Sequence, residues 1–144
     1  MFIGEYAHTV DEKRRISLPA KFRKELGSKV VVTRGLDNCL FLFPHKAWQA
    51  ISEETAKLGL MQHDTRGFTR FMFSGASEID VDSMGRILIP DYLREFAGVK
   101  SSAIFAGVHN RIEIWNEKRW ESYKKKIEGE AEEMAEKLSS IGLR

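Results

Sequence analysis

Residues 4–23, GEYAHTVDEKRRISLPAKFR, and residues 75–94, GASEIDVDSMGRILIPDYLR, are one segment written twice, 71 positions apart. Gly4 falls on Gly75, Val10 on Val81, Asp11 on Asp82 and Arg15 on Arg86. Ile16 meets Ile87, Pro19 meets Pro90, Arg23 meets Arg94 and Gly27 meets Gly98. One inserted residue moves the offset to 72, after which Gly35 meets Gly107, Asn38 meets Asn110, Lys46 meets Lys118 and Trp48 meets Trp120. Twelve identities with a single gap mark a tandem duplication. Such a chain is read as two copies of one unit before anything else is assigned.

Both copies have the same local grammar. An alternating stretch leads into Asp-x-x-x-Arg and a short strand-like run, Ile16-Ser-Leu18 or Ile87-Leu-Ile89. Pro19 and Pro90 suit a helix's first turn, where the missing N–H costs nothing. The spacing predicts helices over Ala20–Leu26 and Asp91–Ala97, stopped by left-handed caps at Gly27 and Gly98. Strands follow at Val30–Val32 and Ala103–Phe105, then turns at Gly35–Asn38 and Gly107–Asn110. The last strands are Cys39–Phe43 and Arg111–Trp115. About 40 β-rich residues cannot bury a core alone. The expectation is therefore an α+β fold, with two tandem ββαββ units forming one composite β-barrel about a pseudo-twofold axis.

Helical patterns lie after each copy, at His45–Leu58, Met61–Phe73 and Glu117–Leu138. Their apolar rows (Trp48, Ile51, Thr55, Leu58; Met61, Phe68, Phe71, Met72; Trp120, Tyr123, Ile127, Ala131, Met134, Leu138) recur at spacings of three and four. All three are expected to pack on the barrel, and the last is long enough to meet another subunit as well.

With 42% hydrophobic residues among 144, the chain can bury a core and is not a disordered segment. The single cysteine, Cys39, excludes a disulfide framework and suits a reducing compartment. No run of 18 apolar residues could span a membrane, and the N-terminal stretch lacks an apolar core of signal-peptide length. Net charge is only +2, so its distribution carries the information. Residues 11–25 hold six basic side chains (Lys13, Arg14, Arg15, Lys21, Arg23, Lys24) against three acids; residues 82–96 hold two against three. Only the first copy has a cationic loop, as expected if that copy meets a polyanion. Lysine and arginine on phosphates give salt-dependent affinity, and arginine on a guanine edge gives sequence preference.

Asp-x-x-x-Arg also has a structural reading. A carboxylate four residues before an arginine fixes the loop and orients the guanidinium, which then loses less side-chain entropy on contact. Asp80 through Asp91 has calcium-loop acids at positions one, three and twelve and glycine at six, but Met84 and Pro90 spoil it. His8, His45, His63 and His109 are isolated, so no metal site is expected. No phosphate-cradling loop or nucleophile elbow occurs, and Cys39 sits in an apolar strand. No catalytic constellation, cofactor or small-molecule substrate is expected.

The segments MFIGEYAHTVDEKRRISLPAKFR, RGLDNCLFLFP and FTRFMFSGASEIDVDSMGRILIP resemble the MraZ family of bacterial transcriptional regulators, over nearly the whole chain. The resemblance implies two AbrB-like (SpoVT-AbrB) domains in a swapped-hairpin type of barrel, at 5–47 and 76–119. A helical connection at 48–75 and a C-terminal helix at 120–144 complete the chain. It further implies a ring-shaped homo-oligomer, with an octamer as one admissible size. That ring would bind direct repeats in double-stranded DNA upstream of its own division and cell-wall operon, usually as a repressor, in the cytoplasm and on the nucleoid. The family's DNA-facing basic set falls on Lys13, Arg15, Lys21 and Arg23, with Arg14 beside them; Asp11 orients the loop, and Asp82 and Arg86 are structural. Copy one departs from the family by carrying Arg14 where glycine usually precedes the signature arginine, as Gly85 does in copy two. An alternative expectation is a protein-interaction ring whose charged C-terminal helix recruits a division or cell-wall protein. Truncation at about Asn116 would separate the two.

Overall fold

The computed structural model describes residues 1–142, so the last two residues of the 120–144 segment lie outside the described residues. Copy one forms β1 (Phe2–Thr9), β2 (Arg15–Ser17), α1 (Ala20–Leu26), β3 (Lys29–Arg34) and β4 (Leu40–Pro44). The connection holds α2 (His45–Ala56) and α3 (His63–Thr69), which runs into a π-helical turn at Arg70–Ser74. Copy two repeats the pattern as β5 (Ser77–Asp80), β6 (Arg86–Leu88), α4 (Asp91–Ala97), β7 (Ser102–His109) and β8 (Arg111–Trp115). Helix α5 (Glu117–Ser140) follows.

Six strands form one antiparallel sheet in the order β1-β7-β8-β4-β3-β5. The first strand of each copy pairs with the third strand of the other: Phe2–Thr9 runs against β7, and Ser77–Asp80 against β3. In the centre, β4 pairs with β8 with Phe41 opposite Glu113. A separate two-stranded ribbon joins β2 to β6, with Ile16 opposite Ile87. Both central pairs join duplicated counterparts, at offsets of 72 and 71. Each pairing thus maps onto itself when the copies are exchanged, which defines the pseudo-twofold axis. The strands make one six-stranded sheet with β1 and β5 at its ends and one two-stranded ribbon, and a bridge between Val10 and Ile16 links the ribbon to the end of β1.

The ribbon, α1 and α4 cover one face of the sheet. Phe2, Ile16, Phe22, Ile87, Leu93 and Phe105 are buried there in one apolar cluster. The opposite face buries Cys39, Phe41, Phe43, Trp115 and Trp120 against Trp48 and Ile51. Burying one such side chain contributes about 1.5–3 kcal/mol, against about 0–1 kcal/mol for an exposed ion pair. Packing, not charge, therefore holds the copies together. Burial also pushes the Cys39 thiol far above its ordinary pKa, so it is a protonated core residue.

The predicted helices α1 and α4 keep their bounds, and Gly98 is a left-handed cap (φ 69°, ψ 27°). Gly27 also has positive φ, but its ψ of −157° lies outside the left-handed helical region. The apolar rows after each copy pack only in part. Trp48, Met72, Trp120 and Tyr123 join the second cluster, whereas Leu58, Met61, Phe68, Met134 and Leu138 are exposed. No helix among the described residues is long and apolar enough to cross a membrane.

Candidate functional site

The two Asp-x-x-x-Arg loops are built alike. Asp11 Oδ1 accepts hydrogen bonds from the backbone N–H of Lys13 (2.9 Å) and Arg15 (2.8 Å), and Oδ2 accepts from Arg15 Nε (2.9 Å). Asp82 repeats this with Met84 N (2.9 Å), Arg86 N (2.9 Å) and Arg86 Nε (2.8 Å). An aspartate bonding the backbone two residues ahead is the local geometry that makes this residue a turn former. The penultimate residue of each loop has positive φ: Arg14 at 65° and Gly85 at 77°. Glycine adopts that conformation freely, whereas in copy one an arginine is held there at a backbone cost of about 1–2 kcal/mol.

These donors lower both carboxyl pKa values. For Asp11 the backbone N–H of Arg15 acts most strongly, with the Arg15 guanidinium adding to it. For Asp82 the backbone N–H of Arg86 leads in the same way. Because each aspartate grips Nε, the terminal nitrogens of Arg15 and Arg86 have no hydrogen-bond partner among the described residues. Each loop therefore presents a half-open guanidinium fork with its root fixed, on a side chain that is 31% (Arg15) or 25% (Arg86) exposed as a whole. Such a fork matches a phosphate or a guanine edge.

The loops stand at opposite ends of the β2–β6 ribbon, because the strands they precede are antiparallel. This divides the basic set that is contiguous in sequence. Lys13, Arg14 and Arg15 belong to the copy-one loop, with Lys13 and Arg14 exposed. Arg23 instead lies across the copy-two loop. A Cβ built on Gly85 would come within 2.5 Å of Arg23 Nε, which donates to the Leu18 carbonyl at 2.9 Å. Lys21 is exposed on α1, the helix that carries Arg23. Burial, followed by the nearby Arg23 charge, lowers the His8 pKa and favours its neutral form. The cationic patch expected in copy one is thus shared between both ends of the ribbon.

Beside the copy-one loop, a cleft of about 650 Å³ is lined by Val10, Arg14, Asp91, Arg94, Glu95 and Lys100, among others. Arg14 Nη1 reaches across the copies to both Asp91 oxygens (3.1 and 3.2 Å). Sequence reasoning weighed Asp91 only within the calcium-like spacing and did not pair it with Arg14, although a signal was present: its counterpart in the duplication is Ala20. Among the described residues no cluster of three His, Cys, Asp or Glu side chains could hold a metal ion, and Asp82 of the calcium-like spacing is engaged by Arg86 and backbone N–H groups.

Helix α5 is anchored at its base. Asn116 caps it by accepting from Arg119 N (3.0 Å), Glu5 accepts from Trp120 Nε1 (3.1 Å) and Lys124 Nζ (2.9 Å), and Trp115 stacks on Tyr123. Truncation at Asn116 would therefore remove core residues and cannot serve as a clean test of the helix.

The family model described as "MraZ protein, putative antitoxin-like" matches this chain twice, over residues 1–71 and 72–140. Among curated relatives, the protein named transcriptional regulator MraZ from Syntrophomonas wolfei is 48% identical over 143 residues, covering 99% of this chain and 100% of its own. Proteins of the same name from Caldanaerobacter subterraneus (48%) and Clostridium tetani (47%) match over the same shares.

Proposed function

The chain belongs to the MraZ family, and from that premise we propose that it is a sequence-specific DNA-binding transcriptional regulator, without catalytic activity or cofactor. The observation that carries this reading is the Arg15 fork: its root is tied to Asp11, its terminal nitrogens have no partner among the described residues, and exposed Lys13 and Arg14 stand beside it. Pre-orientation reduces the entropy lost on contact, and the surrounding cations supply attraction to phosphate. Lys13, Arg14, Arg15, Lys21 and Arg23 form the contact set. Asp11 holds the loop, while Asp82 and Arg86 chiefly maintain the pseudo-symmetric scaffold.

In this reading the repeats occupy 5–47 and 76–119, joined by the 48–75 connection; α5 begins within the second repeat, at Glu117, and fills most of the 120–144 segment. The exchange of strands between the copies supports a swapped-hairpin type of barrel like that of AbrB-like domains. The protein acts in the cytoplasm and on the nucleoid as a repressor of its own division and cell-wall gene cluster, on direct repeats upstream of it. Assembly into a ring lets weak individual loops engage successive repeats through effective concentration. Two unpartnered surfaces support assembly. One is the distal α5 row with exposed Met134 and Leu138; the other is a cleft of about 510 Å³ lined by Leu58, Leu60, Arg66, Arg70 and Phe73 among others. The groove offers apolar walls with cations, and the distal helix offers an apolar row among glutamates.

The test is a binding series on the DNA upstream of this gene, comparing the parent with Arg15→Ala at several salt concentrations. The parent should bind with an affinity that falls with salt at a log–log slope of about −0.9 per neutralised phosphate. A flat salt profile, or equal binding by the variant, refutes the Arg15 loop as the contact.

A further inference from the structure

Two departures from the duplication meet in space. Position 14 carries arginine where its counterpart is Gly85, and position 91 carries aspartate where its counterpart is Ala20. Arg14 Nη1 lies 3.1 and 3.2 Å from the Asp91 oxygens, and Arg94 Nη2 lies 3.2 Å from one of them. At the pseudo-symmetric place there is no such pair: Gly85 leaves open the space that the Arg23 side chain fills. Arg94 Nε is buried without a hydrogen-bond partner among the described residues, although its counterpart on Arg23 reaches the Leu18 carbonyl.

We propose that Asp91 is an intramolecular competitor for nucleic acid: its carboxylate occupies Arg14 in place of a phosphate, and DNA gains that contact only by displacing it. This rests on the DNA-binding reading above and adds a residue that opposes it. Both partners are more than 60% exposed as side chains, so the pair is weak enough for a phosphate to replace. It is also placed to matter, because Arg14 directly precedes the pre-oriented Arg15. The competitor comes from copy two and its target from copy one, so the strand exchange that brings the two loops and helices together creates it.

The test measures affinity for the upstream duplex by fluorescence anisotropy over a salt series, using the full-length parent, Asp91→Ala, Arg14→Gly, the double variant and Arg15→Ala. Asp91→Asn, which keeps the shape and removes the charge, substitutes for Asp91→Ala if that variant misfolds. Freeing Arg14 should tighten binding about two- to tenfold and steepen the salt slope by about 0.9. Arg14→Gly, which removes a residue of the contact set, should weaken binding and make the salt slope shallower. In the Arg14→Gly background, loss of Asp91 should produce no further gain. Equal tightening with and without Arg14 would make Asp91 a general repulsive charge and overturn the competition. No tightening on removal of Asp91 would overturn it as well, while a weakened Arg15→Ala variant would leave the DNA-binding reading standing. Failure of every protein, parent included, to bind the duplex at low salt would overturn both.

Discussion

Ile16 and Ile87 lie opposite each other in the β2–β6 ribbon and are also the same position of the two copies. Both are almost completely buried. The residue that closes the core of one copy is therefore packed by its own duplicate, and neither copy can complete that contact alone.

From this pairing, Ile16→Ala and Ile87→Ala should each destabilise the protein by about 2–5 kcal/mol in urea unfolding. The double variant should lose less than the sum, because contacting residues share one cavity. Strict additivity would deny the contact.

Positions 14 and 85 should respond unequally to exchange. Gly85→Arg forces a side chain into φ 77° and into the space of Arg23, so it should cost about 1–2 kcal/mol for the backbone alone. Arg14→Gly relieves strain and loses an exposed ion pair, so stability should move by less than about 1 kcal/mol. Thermal unfolding of the two variants distinguishes these outcomes.

Arg15→Ala should weaken promoter binding by about 1–3 kcal/mol with little change in melting temperature. Arg86→Ala should disturb assembly or stability more than intrinsic DNA contact. A normally assembled Arg86→Ala protein that cannot bind would reverse the assignment of the copies, because the two forks have the same geometry.

The loop carboxyls predict an acid dependence. Both Asp11 and Asp82 have folded pKa values below the ordinary 3.8, so their contribution is complete above that value. It is lost as pH falls through the lowered values, where the unfolded chain binds more protons. Carboxyl NMR titration should place both midpoints under 3.8, and amide exchange at Arg15 and Arg86 should accelerate only in that acid range. A midpoint at or above 3.8 would contradict the hydrogen bonding.

Met134→Glu with Leu138→Glu should reduce the assembled mass in light scattering while leaving the melting of the domain core unchanged, since both side chains are exposed. Unchanged mass would remove the distal α5 row from the subunit contact.

Much of this was legible along the chain. The positions of α1, α4 and β8 follow from prolines, glycines and alternation, which act locally. The grip of Asp11 on the backbone of Arg15 follows from a four-residue spacing that recurs at Asp82. The fate of the long apolar rows did not follow: periodicity marks a face but not its partner, so Trp120 is buried while Leu138, on the same row, is exposed.

The duplication is written in the residue order, and the order of elements and the two aspartate–arginine turns could be read from it because they rest on short-range sterics and hydrogen bonds between near neighbours. Folding in three dimensions was needed to show that β1 joins β7, that Arg23 lies against the loop of the other copy, and that Arg14 faces Asp91. These pairings join residues more than 60 positions apart in the chain. They are selected by which apolar faces bury each other, a quantity shared by both copies and written in neither alone.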